Sequence, residues 1–463
     1  MRDGYEKTMS IYQTINPATD QLVQEFPTAS DAEIQASIDA SQRAYESWRK
    51  TPIHDRAEAM RRAADLMHER TGQLAELITL EMGKLPSEAE AEVELSANIL
   101  GYYAHHGPRI LDDEKLHPDS GGSAVVVNDP IGPLIGVMPW NFPQYQIARF
   151  AAPNLVAGNT ILLKHAPDCP QSALAFEQLM RDAGIPENAY INVFATNDQI
   201  QTIINDPRVA AASVTASERA GAAVAATAGQ NLKKVVLEMG GNDPYVVLDT
   251  SDMDATVAEA VRGRMTNSGQ SCIASKRMIV HEDLYDDFVA KLTERMSSLR
   301  LGDPPDEDTD VAPLHEESAA EGLMEQVQDA IDKGATVHCG GKRPDRTGAF
   351  VEPTVLTDVS RDMRAFYEEL FGPVAVVYSV ANEDEAVALA NESSYGLGGS
   401  VISDDDDRAH RVARQIDTGM VWINKATWTE PDLPFGGTKR SGVGTELGEA
   451  GIQQFLNKKL IRA

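Results

Sequence analysis

The chain has 463 residues, which at roughly 150 residues per domain suggests two or three domains. Hydrophobic residues make up 42%, enough for a large core, and this excludes wholesale disorder. The formal charge of -30 argues against nucleic acid or an anionic membrane as a partner. An acidic, lysine-poor surface is typical of proteins that stay dissolved at high salt, so we expect a halophilic protein; an ordinary acidic bacterial enzyme is the alternative.

The cysteines and the apolar segments indicate the compartment. Cys169, Cys272 and Cys339 are too few for a disulfide framework in a chain of this length. Clusters of cysteine and histidine that would suggest zinc are missing from the sequence, so we expect no metal. The first ten residues show no signal core, and no apolar stretch is long enough to span a membrane. We therefore expect a cytoplasmic protein with no membrane partner.

Helices are predicted for the first hundred residues. Ser30 and Glu33 form a capping-box pattern at the start of an amphipathic helix over 30–50. Two more helical stretches follow over 56–82 and 87–106. The helical pattern then fades, and residues 124–127 are typical of a strand.

Strands and helices alternate strictly from residue 133 to residue 237. The predicted strands cover 133–140, 160–164, 189–194, 211–215 and 233–237, and the predicted helices cover 144–156, 170–183, 199–205 and 218–228. A second run follows, with strands over 245–248, 276–280, 374–380, 399–402 and 420–424 and helices over 253–265, 284–300, 318–332, 383–391 and 406–416. Short strands separated by such helices build parallel sheets, so the pattern predicts an α/β fold whose two units meet near residue 238.

Three short segments combine residue types that carry chemistry. They are Pro-Trp-Asn-Phe-Pro over 139–143, Leu-Glu-Met-Gly-Gly-Asn-Asp-Pro over 237–244, and Asn-Ser-Gly-Gln-Ser-Cys over 267–272. The first two lie at predicted strand ends, and the third follows a helix. Ligand sites in α/β proteins collect beyond the carboxyl ends of strands, so we expect the three segments to meet in one crevice.

The chemistry of these segments is mutually consistent. A thiolate at Cys272 would attack a carbonyl carbon, and the resulting oxyanion would accept hydrogen bonds from the Asn141 amide and the Cys272 backbone N–H. Glu238 could activate a water molecule if its surroundings raise its pKa towards neutrality. Each residue alone has an ordinary alternative: an inert buried thiol, a solvated or paired carboxylate, or a turn asparagine.

With two further motifs, these segments resemble the aldehyde dehydrogenase superfamily over nearly the whole chain. The motifs are Glu-Glu-Leu-Phe-Gly-Pro over 368–373 and Pro-Phe-Gly-Gly-Thr-Lys-Arg-Ser-Gly over 434–442. The resemblance implies NAD(P)-dependent oxidation of an aldehyde to a carboxylic acid through a cysteine thiohemiacetal and a thioester. It also implies a Rossmann-like NAD(P)-binding domain over 1–111 and 131–238, an α/β catalytic domain over 239–443, and a small β oligomerisation element over 112–130 and 444–463.

The resemblance also implies a role for each site residue. Cys272 would be the nucleophile, Asn141 the oxyanion donor and Glu238 the base for deacylation. The implied cofactor-binding residues are Lys164 at the adenosine ribose, Ser217 at the pyrophosphate, Glu369 at the nicotinamide ribose, Phe371 beside it, and Trp140. The oligomerisation element would supply strands that cross to a neighbouring subunit, so we expect a homodimer or homotetramer.

Two departures from the family pattern concern the cofactor, and the first of them leaves the choice between NAD and NADP open. NAD-selective members often carry a glutamate three residues after the ribose-binding lysine, where this chain has Pro167 followed by Asp168. A carboxylate at that position would repel a 2′-phosphate. The second departure is Ala216, which replaces a frequent glycine before the serine at the pyrophosphate.

Within the family, residues 164–167 and 106–108 resemble members that oxidise succinate semialdehyde to succinate. Arg149, eight residues after Asn141, would grip the substrate carboxylate; the alternative is an arginine paired to a neighbouring acid. Thr266 and Glu430 differ from residues that some members use for this purpose. Glutarate semialdehyde, lactaldehyde and glycolaldehyde stay open as substrates, as do acyl transfer to coenzyme A and a non-catalytic protein with this fold.

Overall fold

The computed structural model describes residues 11–463, so the signal-free start predicted for the first ten residues lies outside them. The first part of the described chain is a hairpin followed by four helices. Its elements are β1 (Tyr12–Asn16), β2 (Gln21–Phe26), α1 (Asp31–Trp48), α2 (Ile53–Glu69), α3 (Thr71–Met82) and α4 (Pro86–Ile110). The capping box at the start of α1 is confirmed, because Ser30 Oγ accepts the Glu33 N–H and the Glu33 carboxylate accepts the Ser30 N–H.

The middle of the chain alternates as predicted. Its elements are β3 (Glu114–Leu116), β4 (Ala124–Pro130), β5 (Pro133–Val137), α5 (Pro143–Ala157), β6 (Thr160–Lys164), α6 (Pro170–Asp182), β7 (Tyr190–Asn192), α7 (Asn197–Asn205), β8 (Ala211–Thr215), α8 (Glu218–Gln230) and β9 (Lys234–Glu238).

The last part begins after a short connection at residues 239–242. Its elements are β10 (Asp243–Val247), α9 (Met253–Met265), β11 (Ser275–His281), α10 (Glu282–Ser298), α11 (Glu317–Asp332), β12 (Thr336–Cys339), β13 (Thr354–Thr357), α12 (Arg364–Tyr367), β14 (Val374–Val380), α13 (Glu383–Asn391), β15 (Tyr395–Gly396), β16 (Ser400–Ile402), α14 (Asp406–Ala413), β17 (Trp422–Ile423), β18 (Thr438–Lys439), β19 (Gly442–Val443), α15 (Gly448–Ile452) and β20 (Leu456–Arg462).

Two large sheets organise the fold. The first has the strand order β19-β9-β8-β5-β6-β7 and is parallel apart from β19, which runs antiparallel to β9 at the edge. The second has the order β12-β13-β14-β11-β10-β16-β17 and is parallel apart from β12. The predicted α/β class is therefore confirmed. The domain boundaries stay a prediction, and β19 brings residues 442–443 of the expected catalytic domain into the first sheet.

A third, smaller sheet is antiparallel, with the order β20-β4-β3. Strand β20 pairs with β4 along its whole length, from Leu456 opposite Pro130 to Arg462 opposite Ala124. Leu460 and Ile461 on β20 remain 60% and 49% exposed. Among residues 11–463, every helix is too short or too polar to cross a lipid bilayer.

A buried ion pair fixes the start of α5, immediately after Asn141. Lys84 and Glu92 pair with each other while their side chains are 0% and 1% exposed. The free carboxylate oxygen of Glu92 accepts the N–H groups of Gln144 (2.8 Å) and Tyr145 (3.2 Å) in the first turn of α5. Lys84 Nζ also lies 3.8 Å from the centroid of the Phe142 ring. Through these contacts with residues 142–145, the ion pair fixes the end of the loop that carries Asn141.

Replacing Lys84 with methionine would leave the Glu92 charge buried without its partner. We expect Lys84→Met to lower the free energy of unfolding by about 3–5 kcal/mol, measured by urea denaturation. Arg61→Met breaks exposed pairs with Glu58 and Asp65 on α2 and serves as the control, with a much smaller expected loss because solvent screens these charges. Equal losses in the two variants would contradict this role of the buried pair.

Candidate active site

The predicted segments meet at one cavity of about 450 Å³. Asn141 reaches it from the loop after β5, Glu238 from the end of β9, and Cys272 from the loop before β11. The cavity is lined by Pro139, Trp140, Asn141, Gln146, Thr215, Ala216, Ser217, Glu218, Arg219, Glu238, Met239, Gly240, Cys272, Glu369, Phe371 and Tyr395.

A strained turn joins the Asn141 loop to the Cys272 loop. Asn267 and Ser268 both have left-handed backbones, with φ of 56° and 52°. The Asn267 side-chain amide donates to the carbonyl oxygens of Asn141 (2.8 Å) and Gln270 (3.1 Å). The Asn141 amide also donates to the Gln270 carbonyl, at 3.1 Å. These bonds hold the amide and the thiol loops in a fixed relation, and backbone strain of this kind persists where the surrounding structure enforces it.

The glycines of the 239–242 connection permit an unusually close approach of three loops. A Cβ atom on Gly240 would lie 2.2 Å from the Glu369 carboxylate, and one on Gly241 would lie 2.5 Å from the Cys272 carbonyl oxygen. The Gly241 N–H donates to Glu369 Oε1 at 3.1 Å. Glycine is therefore required by space at position 241, where a side chain would meet the backbone of the Cys272 loop, whereas a side chain at position 240 would displace the Glu369 carboxylate.

Glu238 is a buried carboxyl group, 2% exposed, and neither of its carboxylate oxygens has a hydrogen-bond partner within residues 11–463. Burial raises the pKa of Glu238 well above its usual range; the Arg149 charge opposes this shift, and Glu446 adds to it. A carboxyl group with free oxygens and a raised pKa can exchange a proton with a water molecule in the cavity.

Cys272 lies in the same low-dielectric environment. Burial raises the pKa of its thiol to about 12, while the positive charges of Arg149 and Lys276 lower it and the negative charges of Glu369 and Asp243 raise it. The reactivity of this thiol therefore depends on the balance of the charges around it.

One end of the cavity suits a dinucleotide. Ser217 is the N-cap of α8, and its side chain makes no capping hydrogen bond. The first N–H groups of a helix attract anions, so the start of α8 fits a pyrophosphate. Ser217, Glu369, Phe371 and Trp140 all line the cavity, as predicted for cofactor-binding residues. The Trp140 ring stacks on His315 at 3.3 Å between centroids and meets Phe371 edge-on at 5.7 Å.

Lys164 ends strand β6 and is not among the residues that line this cavity. It is 8% exposed, and burial lowers its pKa to about 8 while Asp168 opposes the shift. Asp168 also lies near His315 and Glu316, with possible ligand atoms within 4.8 Å of one another. Exposed acidic groups commonly gather without an ion, and the expected absence of a metal stays a prediction.

Arg149 is fully buried within α5. Its guanidinium pairs with Glu446 and donates to the hydroxyls of Tyr145 (3.2 Å) and Thr215 (3.1 Å). It also lies 4.6 Å from the centroid of the Phe435 ring. Pairing with an acid is the ordinary alternative named above, although this acid is distant in sequence and the pair is buried. A contact between Arg149 and a substrate carboxylate stays a prediction.

Several residues at the site were not identified from the sequence. Tyr145 lies one helical turn before Arg149, and its hydroxyl contacts Thr429 Oγ1 at 2.9 Å. From the sequence, Glu430 was considered as a residue that could contact the substrate. The hydroxyl that contacts Tyr145 belongs instead to the preceding residue, Thr429. Lys276 and Glu446 were missed because the charged groups that they pair with, Glu369 and Arg149, lie far from them along the chain.

Comparisons with known proteins agree with this geometry. The model of the aldehyde dehydrogenase family matches residues 5–461. A succinate-semialdehyde dehydrogenase [NADP(+)] of Deinococcus radiodurans is 57% identical, covering 98% of this chain and 94% of that protein. One of the same description from Mycobacterium tuberculosis is 46% identical, covering 97% and 98%. The structure of a Streptococcus pyogenes succinic semialdehyde dehydrogenase with NADP+ has a TM-score of 0.95 and 40% identity, covering 97% and 99%.

A half-buried thiol, a carboxyl group with no hydrogen-bond partner in residues 11–463 and a side-chain amide, on one cavity with the start of α8, define a cysteine-dependent dehydrogenase site. The chain belongs to the aldehyde dehydrogenase family.

Proposed function

We propose that the chain oxidises succinate semialdehyde to succinate with NADP+ as the cofactor. The observation that carries the proposal is the convergence of Cys272, Glu238 and Asn141 on one cavity that also contains the start of α8, Glu369 and Phe371. The relatives from Deinococcus radiodurans and Mycobacterium tuberculosis carry this substrate and cofactor in their descriptions, which supports both choices.

The residues of the cavity account for the two halves of the reaction. The Cys272 thiolate adds to the aldehyde carbon, and the oxyanion accepts hydrogen bonds from the Asn141 amide and the Cys272 N–H. A nicotinamide cofactor held by Ser217, Glu369 and Phe371 would supply the acceptor for the hydride that leaves the carbon of the Cys272 adduct as the thioester forms. Glu238 then takes a proton from a water molecule, whose oxygen attacks the thioester carbon, and the C–S bond breaks to release the acid and the Cys272 thiolate.

Replacing Glu238 with glutamine separates these two halves, because glutamine keeps the shape of the side chain but cannot accept the proton. We expect Glu238→Gln to give a first burst of NADPH equal to one turnover per site, followed by steady-state turnover reduced about 10²–10⁴-fold. Stopped-flow absorbance of NADPH measures both phases. A normal steady-state rate in this variant would show that Glu238 is not the base.

The surroundings of Lys164 favour NADP. The Pro167 position offers no carboxylate to repel a 2′-phosphate, and a phosphate near Lys164 would stabilise its buried ammonium group. Since burial lowers the pKa of Lys164 to about 8, this attraction should weaken as the pH rises through that value. Asp168 opposes the phosphate; burial raises the pKa of its carboxyl group, while the charges of His315 and Lys164 lower it.

A chain of polar groups from Arg149 supports recognition of a substrate carboxylate. The Tyr145 hydroxyl contacts both Arg149 and Thr429, and Thr429 lines a second cavity of about 410 Å³ together with Phe435 and Glu430. We infer that a carboxylate binds where the two hydroxyls and the positive charge of Arg149 meet. The Glu430 carboxylate opposes an anion at the mouth of that cavity.

The substrate and the cofactor are tested together by measuring kcat/KM for succinate semialdehyde and propanal with NADP and with NAD. We expect the wild-type protein to prefer succinate semialdehyde and NADP. Arg149→Met should lower the preference for succinate semialdehyde over propanal by about 10- to 100-fold, the effect of losing a charge-assisted hydrogen bond. Arg149→Lys keeps the charge and serves as the control.

A loss of folded protein in these variants lowers kcat/KM for both aldehydes equally, so the ratio of the two kcat/KM values is unaffected by it. An unchanged ratio in Arg149→Met would remove the carboxylate proposal while leaving the reaction type intact. Glutarate semialdehyde, lactaldehyde and glycolaldehyde belong in the same panel as competing substrates. Product formation that requires coenzyme A would favour acyl transfer, and undiminished oxidation by Cys272→Ser would contradict the whole mechanism.

We also propose the predicted domain division, with the three-stranded sheet as the oligomerisation element. Two observations support it: the second edge of β20 has no partner strand in residues 11–463, and Leu460 and Ile461 are exposed along it. Unpaired edges are available for pairing with another chain. We expect sedimentation velocity to show a homodimer or homotetramer at micromolar concentration, and a monomer there would contradict the assignment.

A further inference from the structure

Lys276 is a fully buried cation directly behind the Cys272 loop. It lies on β11 and is 1% exposed. Its ammonium group donates to the carbonyl oxygens of Ser271 and Cys272, both at 2.8 Å. It also pairs with Glu369 Oε1 at 3.1 Å. An ammonium group has three N–H donors, so these partners satisfy all of them.

The same two loops are joined by a second buried cation. Arg264 Nη2 donates to the carbonyl oxygens of Gly269 (3.2 Å) and Leu370 (3.0 Å), and also to that of Gly372. Gly269 belongs to the loop that leads to Cys272, and Leu370 directly follows Glu369. Arg264 therefore also holds the backbones of these two loops together. Of the two cations, only Lys276 contacts the Cys272 carbonyl and the Glu369 carboxylate.

We propose that Lys276 is a positioning residue that ties the Cys272 loop to Glu369 and places a fixed positive charge beside the nucleophile. The proposal rests on the proposed function only in taking Cys272 as the nucleophile. A lysine charge that is desolvated and held by three partners cannot move away when the cavity fills. It therefore acts on the thiol at every stage, in a low-dielectric medium where charge interactions are strong.

The charges that face the thiol come from four different elements. Arg149 on α5 and Lys276 on β11 lower the pKa of Cys272, while Glu369 after α12 and Asp243 on β10 raise it. Lys276 also lowers the pKa of Asp243, which burial raises to about 7. Removing the Lys276 charge should thus raise the pKa of Cys272, and removing the Glu369 charge should lower it. The opposite signs distinguish an electrostatic role from a loss of structure.

The test is the rate at which iodoacetamide alkylates Cys272 as a function of pH, without cofactor, followed by mass spectrometry of the Cys272 peptide. Since only the thiolate reacts, we expect Lys276→Met to lower the rate at a given pH about tenfold, which corresponds to one pKa unit. Lys276→Arg should retain most of the rate. Glu369→Gln should raise it, and this variant keeps the test decisive if Lys276→Met does not fold.

Lys233→Met is the matched control. Lys233 is a part-buried lysine whose ammonium also donates to two backbone carbonyls, those of Ile204 and Asp206, both at 2.5 Å. Its replacement should leave the pH profile of Cys272 unchanged. A Lys276→Met profile that superimposes on the wild type, or equal losses in Lys276→Met and Lys276→Arg, would overturn the proposal.

Alkylation needs neither aldehyde nor cofactor, so this test of Lys276 can fail or succeed independently of the kcat/KM measurements that test the substrate and the cofactor. In the oxidation assay, Lys276→Met should also raise KM for NADP, since Glu369 loses the cation that orients it, whereas Lys276→Arg should restore KM in part. A change in kcat alone, with KM for NADP unaltered, would contradict the link to Glu369.

Discussion

The site depends on the short connection between the two large sheets, which passes very close to the loops that carry Cys272 and Glu369. Residues 239–242 connect the end of β9 to the start of β10, so the carboxyl end of the first sheet lies a few residues from the amino end of a central strand of the second. Gly240 and Gly241 leave no room for a side chain against Glu369 and the Cys272 carbonyl. This spacing brings a group from the first sheet, Glu238, to the same cavity as a thiol and a carboxylate from the second unit.

The site is also a balance of buried charges. Arg149, Lys276 and Arg264 are almost completely removed from solvent, and each is compensated by carboxylates, backbone carbonyls or hydroxyls. Desolvation alone favours neutral forms of Cys272 and Glu238, while the nearest cations favour their ionised forms. Both groups have to change protonation state during the proposed reaction, so the surroundings must oppose desolvation without cancelling it.

The sequence predicted the fold well where a buried strand is a short, continuous run of apolar residues. Strands 160–164, 211–215 and 374–380 agree with the structure to the residue, because short apolar runs between helices admit few alternatives. The hairpin β1–β2 was not predicted, since β2 is almost entirely exposed and shows no alternation. The helix predicted over 56–82 is two helices that meet at Arg70, whose φ of -106° departs from helical geometry two residues before Gly72.

For the site, the sequence likewise predicted continuous motifs but not contacts between distant residues. The motifs around Cys272, Glu238 and Asn141 were recognisable because each is a short continuous segment. The partners of Arg149 and Lys276 were not, because Glu446 and Glu369 approach them only after folding. Sequence spacing placed Arg149 near Asn141, but only the packed structure shows that its guanidinium is already engaged by Glu446, Tyr145 and Thr215.

The end of the chain connects features that are otherwise separate. Gly442 on β19 pairs with Glu238, Glu446 follows and pairs with Arg149, and β20 then forms the outer sheet. One uninterrupted stretch of about twenty residues thus runs from the strand beside Glu238 to the outer sheet. A protease cut between Glu446 and β20 would therefore separate the acid that pairs with Arg149 from the strand that closes the outer sheet, leaving each held by non-covalent contacts alone.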